Sequence, residues 1–211
     1  MNKILSFILM LTISTTSFAQ TEVAQLQPEV VIEKSEATKP EGLKVGDEAP
    51  QITGIDQNGT KVNLQEILKT KEVVLVFYRG QWCPYCNREL SKINEELTAI
   101  NAKGATVIAI TPETAENIQK TIEKTKASFG IVEDKGLAIM KSYKVSFGVD
   151  DETISKYKKY GIDFEKANGA NGANLPVPAT YIIGKDGKIK YVFFNPDYSK
   201  RASVEEIIKN L

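Results

Sequence analysis

The sequence predicts an α/β fold in which a central mixed sheet is flanked by helices. Three observations carry this expectation. The run 72–78 is apolar and β-branched, as a buried central strand requires. Segments of helical periodicity alternate with further strand-like runs along much of the chain. The chain then closes with a hairpin pattern and a capped helix.

The folded part opens at Val45-Gly46-Asp47-Glu48-Ala49-Pro50, a turn-rich entry, followed by a short strand near 51–54. Asn58-Gly59 signals a hairpin turn, residues 61–63 are its return, and Asn63 is placed to cap a short helix over 64–69. After the central strand, Leu90, Ile93, Leu97 and Ile100 recur at helical spacing across 87–100. Residues 105–110 read as a second buried strand. Thr111-Pro112-Glu113 then opens a helix with a cap and a proline in its first turn, with Ile118 and Ile122 on the apolar face. A short strand at 130–132 and a helix over 135–143 follow. The stretch 146–174 breaks the alternation with a helix near 152–160, ended by Gly161, and a small-residue loop at 168–174. It reads as an insertion that covers one end of the sheet. Residues 179–183 and 189–194 form a hairpin around Lys185-Asp186-Gly187, and Ser203 with Glu206 makes a capping box for the last helix. This order describes a thioredoxin-like fold over 43–211.

Trp82-Cys83-Pro84-Tyr85-Cys86 holds the only two cysteines, and the chain has no histidine. The pair sits where a strand turns into a helix, so free backbone N–H groups and the helix dipole favour a thiolate there. A closed zinc site needs about four ligands, mostly Cys or His, which this chain lacks. A purely structural bridge between residues three apart would close a very small loop and gain little chain entropy. Without an imidazole, Ser-His and Cys-His catalysis are excluded. A reactive dithiol is the favoured reading, with Cys83 and Cys86 as catalytic residues and no metal or organic cofactor implied, because both electrons reside in the sulfurs. A redox-inert module that binds through the insertion is the bland alternative.

Residues 1–13 combine a short basic start with an apolar run, and Ser17-Phe18-Ala19 supplies small residues where a signal peptidase reads. A cleavable signal peptide over 1–19, cut after Ala19, is expected. The apolar run is well short of the ~20 residues of a membrane-spanning helix, so no stable membrane insertion is expected after cleavage. Export to a periplasm or beyond, where disulfides persist, follows. Residues 20–42, rich in Glu, Gln, Lys, Thr and Pro, read as a flexible leader that 30–32 could interrupt with a short strand. Lysine plus arginine (27) equals aspartate plus glutamate (27), so no net field draws nucleic acid or acidic membranes.

From Val45 to Leu211 the chain resembles the peroxiredoxin-like branch of the alkyl hydroperoxide reductase/thiol-specific antioxidant (AhpC/TSA) superfamily. The entry 45–50, the run Phe77-Tyr-Arg-Gly-Gln-Trp-Cys-Pro-Tyr-Cys86, the segment 104–112 and Asn195-Pro-Asp-Tyr-Ser199 carry the resemblance. It implies thiol-dependent redox chemistry, an antioxidant role, and a thiol reductant as partner, either a thioredoxin-like donor or a membrane thiol carrier. Two registers compete. In the thioredoxin register, Cys83 is the exposed nucleophile and Cys86 resolves, with Trp82, Pro84, Tyr85, Arg79 and Pro178 expected to position the substrate. In the peroxiredoxin register, Cys86 is the peroxidatic thiol, Cys83 replaces the hydroxyl that orients peroxide, and Arg79 replaces a proline. Pro178 then stands where the thiolate-stabilising arginine would lie. Losing such donors typically costs ~10²–10³ each in rate, which favours disulfide over peroxide as substrate. Arg79 or Arg88 could partly replace them. The segment Val177-Pro178-Ala-Thr-Tyr-Ile-Ile also resembles the cis-proline segment of thioredoxin folds, so a cis bond at Pro178 is expected. There it would orient a partner's extended backbone beside the dithiol.

Overall fold

The computed structural model describes residues 39–211. The expected signal segment 1–19 and the leader up to residue 38 lie outside the described residues. The last residues of the expected leader, 39–42, meet the domain: Gly42 donates its N–H to the Lys144 carbonyl (3.1 Å) and Glu41 pairs with Lys144 (2.8 Å).

Strands β1 (Thr53–Ile55) and β2 (Lys61–Asn63) form a small antiparallel ribbon, and Asn63 caps α1 (Leu64–Leu68) by accepting the Glu66 N–H at 3.2 Å. Then come β3 (Glu72–Phe77), α2 (Pro84–Glu95), α3 (Leu97–Ala102), β4 (Ala105–Thr111), α4 (Ala115–Thr125), β5 (Gly130–Glu133) and α5 (Ala138–Ser142). The insertion contributes β6 (Ser146–Gly148), α6 (Asp151–Lys159), α7 (Phe164–Asn168) and β7 (Asn174–Pro176). Strands β8 (Ala179–Ile183) and β9 (Ile189–Phe194) and helix α8 (Val204–Lys209) complete the chain, with Ser203 and Glu206 forming the expected capping box.

Five strands make the central sheet in the order β5-β4-β3-β8-β9. The βαβ connections set β3, β4 and β5 parallel, while the closing hairpin sets β8 antiparallel to β3 and β9 antiparallel to β8. Strand β3 is central because both its faces are covered, and its side chains alternate between two cores. Val73, Leu75 and Phe77 pack with Met140, Tyr143 and Tyr181 on one face. Val74, Val76 and Tyr78 face Cys83, Cys86, Leu90 and Ile93 on the other. The dithiol is thus part of a hydrophobic core, not an appendage to it.

Several expected boundaries move for local reasons. Helix α2 begins at Pro84, not 87, because proline's fixed φ suits the first helical position. The periodicity through Ile100 is split at Glu96 (φ −99°, ψ 12°) into α2 and α3, both of which keep their apolar residues inward. Thr111 stays in β4, so Thr114 rather than Thr111 precedes the next helix, and Pro112-Glu113 remain outside it. Leu137 adopts φ 63°, so a short 3-10 turn precedes α5 where one longer helix was expected. The small-residue loop of the insertion is more ordered than its composition suggests. Strands β6 and β7 pair at its base, and Asn171 donates to the Pro112 and Asp134 carbonyls at 2.8 and 3.1 Å. Asn168 donates likewise to the Gly172 and Asn174 carbonyls. Amide side chains there replace the apolar anchors that sequence patterning looks for.

Candidate active site

The turn after β3 delivers both sulfurs. Cys83 occupies the N-cap of α2 in extended conformation, with its N–H on the Gly80 carbonyl (3.0 Å), and Pro84 starts the helix. Cys86 lies one turn in, facing the sheet. Gly80 makes the approach possible. At φ +153° a Cβ there would sit 2.6 Å from Trp82 Nε1 and 2.7 Å from Glu113 Oε1, so a side chain cannot be accommodated without displacing both.

The two thiols are free and have opposite characters. Cys86 donates a hydrogen bond to Cys83, and the Cys86 backbone N–H, one of the free donors of the helix start, also points at that sulfur. With Arg79 and Arg201 nearby, these outweigh burial and bring the Cys83 thiol down to about 6. Cys86 is pushed well above the ordinary thiol range by burial and by its role as donor to Cys83. Its sulfur accepts from the Arg201 guanidinium (Nη2, 3.2 Å) and from the Arg79 N–H (3.4 Å). Cys86 lies behind Cys83 as expected, yet Cys83 itself is only 1% exposed, because the core of α2 and the surrounding aromatic side chains close over it.

Two carboxylates lie behind the pair. Glu89, one turn beyond Cys86, bonds the Arg201 Nε at 2.6 Å and accepts from Thr180 (3.4 Å); burial nevertheless pushes its carboxyl up to about 8. Glu113 accepts the Gln81 N–H (2.8 Å) and the Thr121 hydroxyl (3.3 Å), and burial raises it to about 7. Both are close enough to Cys86 that a negative charge on that sulfur would raise them further.

An aromatic shell surrounds the turn. Trp82 meets Tyr157 and Phe164 of the insertion edge-on (centroids 5.5 and 5.9 Å), and Tyr85 meets Tyr198 (5.9 Å). Arg79 is buried among these rings, 4.4 Å from Tyr198, 4.9 Å from Trp82 and 5.5 Å from Tyr157, and bonds the Tyr157 hydroxyl. The insertion therefore covers the dithiol end of the sheet, as its position suggested. Arg88 packs over Tyr85 instead of reaching a sulfur.

Pro178 does not behave as expected. No peptide bond among the described residues is cis, so Val177-Pro178 is trans. Val177 gives its N–H to the Val145 carbonyl (2.8 Å), since pairing of β6 with β7 draws this segment toward the insertion. That N–H is not free to hold a partner's backbone. Pro178 instead shares an apolar groove with Arg79, Val177 and Tyr198.

Sequence reasoning missed Arg201, Glu89 and Glu113. Glu89 was readable: three residues after Cys86 it must share that sulfur's helix face. Arg201 had no local signal, since it arrives from a loop 115 residues away.

The AhpC/TSA family profile matches residues 45–192. The chain belongs to the AhpC/TSA family. Among curated relatives, it is 29% identical over 153 residues to "Thiol-disulfide oxidoreductase ResA" of Bacillus thuringiensis subsp. konkukian, covering 72% of this chain and 70% of that one. It is 24% identical over 168 residues to "1-Cys peroxiredoxin" of Medicago truncatula, covering 80% and 71%. Among solved structures, peroxidoxin BcpB of Mycobacterium tuberculosis superposes with a TM-score of 0.61 at 18% identity, over 80% of this chain and 96% of that one. The thioredoxin domain of thiol-disulfide oxidoreductase BVU-2223 from Bacteroides vulgatus gives 0.52 at 23%, over 79% and 99%. The fold is thioredoxin-like, and the AhpC/TSA protein is a thiol oxidoreductase.

Proposed function

We propose that this AhpC/TSA protein is an exported thiol-disulfide oxidoreductase in which Cys83 attacks and Cys86 resolves. The observation that carries the reading is the opposed acidity of the two thiols. An attacking sulfur must be a thiolate near neutral pH, and Cys83 is drawn down to about 6. A resolving sulfur must stay protonated and hidden until the mixed disulfide forms, and Cys86 is buried with its proton held tightly.

The Cys83 thiolate attacks one sulfur of a substrate disulfide, the substrate S–S bond breaks, and one thiolate leaves. Cys86 then gives up its proton, for which Glu113, at about 7, is the nearby carboxylate, and attacks Cys83 Sγ. The second substrate thiolate departs. Dithiol plus disulfide becomes disulfide plus two thiols, and an external thiol reductant, a thioredoxin-like donor or a membrane thiol carrier, restores the dithiol. The basic, apolar residues 1–19 support the exported setting.

One observation favours a second reading. Arg201 donates to Cys86, so the peroxiredoxin register has an arginine on its own sulfur although Pro178 stands where that register expects one. In that reading a Cys86 thiolate attacks one peroxide oxygen, the O–O bond breaks and the other oxygen leaves as hydroxide or alkoxide, and Cys83 then attacks the Cys86 sulfenic acid and displaces water to form the same disulfide. The test compares stopped-flow oxidation by hydrogen peroxide with the rate of reducing a protein disulfide. Brief alkylation of the reduced protein at pH 7 should label Cys83 first. Predominant labelling of Cys86, with peroxide turnover far above disulfide reduction, would reverse the assignment; no reaction with either substrate would leave only the redox-inert module.

A further inference from the structure

The least satisfied charge near the site belongs to Arg79. Its side chain is 4% exposed, no carboxylate among the described residues lies within ion-pair distance, and its Nε is buried without a hydrogen-bond partner. A guanidinium carries five donors in a planar fork, and a buried charge is costly unless paired. The Cys83 thiolate offsets part of this charge, but only in the reduced, ionised state.

Arg79 also forms part of the wall of a groove of about 280 Å³ whose remaining lining is Pro40, Phe147, Pro176, Val177, Pro178, Pro196 and Tyr198. Four of these are prolines, which have no N–H. The N–H of Val177 is already taken by Val145. An extended peptide adding to a sheet edge needs such donors along its path, and this wall offers almost none. The wall favours a chain without backbone polar groups, and its charged end favours an anion.

We infer that the groove beside the dithiol binds an amphiphilic carboxylate, with the alkyl chain along the proline-rich wall and the carboxylate on the Arg79 guanidinium. A charge-assisted pair of this kind is short and strong, and the flanking rings exclude water from it. The carboxylate and the Cys83 thiolate then compete for one guanidinium. Occupancy is therefore higher when Cys83 carries no charge, and this link to the redox cycle rests on the proposed role of Cys83. Binding itself does not.

Calorimetric titration of the full chain with decanoate and, separately, decanol tests the inference. Decanoate should bind at least about tenfold more tightly, since only it engages the charge. Arg79→Gln should abolish that preference and leave the two ligands equal. The Cys83→Ala/Cys86→Ala variant, which has no thiol chemistry, should keep the preference and bind decanoate more tightly than the reduced wild type at neutral pH. Equal binding of decanoate and decanol to the wild type, or binding of neither, overturns the inference, and this comparison needs no variant to fold. Decanoate binding by a protein that reduces no disulfide would retain the site while removing the proposed enzyme function.

Discussion

Replacing Cys86 by alanine isolates the cause of Cys83 acidity. The largest contribution is the hydrogen bond that Cys86 donates to Cys83, while the backbone N–H of residue 86, Arg79 and Arg201 survive the substitution. A hydrogen bond to a charged group contributes roughly 1.5–3 kcal/mol, and 1.36 kcal/mol corresponds to one pH unit. Cys83 should therefore move from about 6 to about 7.5. A rate measured only at pH 7 would miss this. The thiolate population falls about fourfold at that pH, but nucleophilicity rises with basicity at a slope of about 0.4–0.5, which restores nearly as much. The informative quantity is the whole pH profile of attack on a chromophoric aromatic disulfide, taken from the first phase. The variant should be about sixfold slower than wild type at pH 5 and about fivefold faster at pH 9, with the curves crossing near neutrality. Superimposable profiles would refute the reasoning, because Cys83 acidity would then come from the helix start and the arginines alone.

Three further outcomes follow from the same geometry. Arg201→Met removes donors to both Glu89 and Cys86, and should lower urea stability by roughly 2–4 kcal/mol; adding Glu89→Gln should recover more than 1 kcal/mol, and strict additivity would show that the pair is not coupled. Gly80→Ala should cost more than about 1 kcal/mol, since its Cβ would press on Trp82 and Glu113 at a φ that disfavours side chains; a neutral effect by denaturant titration would mean the turn relaxes freely. For Cys83, the folded thiol is more acidic than the unfolded one, so between about pH 6 and 9 the unfolded chain holds the extra proton and stability rises with pH. Reduced protein should gain up to about 4 kcal/mol over that window relative to its disulfide form, and a flat difference would contradict a depressed Cys83.

The sheet and the dithiol were legible in the sequence because both are written in local patterns. Residues 72–77 needed only an apolar, β-branched run to be placed at the centre, and Cys83 needed only its position between that run and a helix. The electrostatic partners are a different matter. Arg201 reaches Cys86 from the β9–α8 connection and Glu113 stands behind the turn from the β4–α4 connection, and nothing in their own neighbourhoods marks them for the site. Pro178 failed for a related reason. The Pro-Ala-Thr-Tyr-Ile-Ile pattern describes the strand, but the conformation ahead of it depends on Val145, whose carbonyl takes the Val177 N–H once β6 and β7 pair.

The two registers that compete in the sequence describe two separable jobs in the structure. A thiolate needs donors at the sulfur that carries the charge, and here donors converge on both sulfurs: the helix start and Cys86 on Cys83, Arg201 and the Arg79 N–H on Cys86. What differs is desolvation. Cys86 lies deeper, and its burial together with the neighbouring Cys83 sulfur opposes a negative charge that the arginine does not overcome. If Arg201 were acting to ready Cys86 for peroxide, the burial of that sulfur and its hydrogen bond to Cys83 would be working against the reaction. If Cys86 instead waits as a protonated resolving thiol, every group has a use. Arg201 steadies the charge that appears only during resolution, and Glu113 is at hand to take the proton that resolution releases. Glu113, held at about 7, can accept it near neutral pH and return it to solvent.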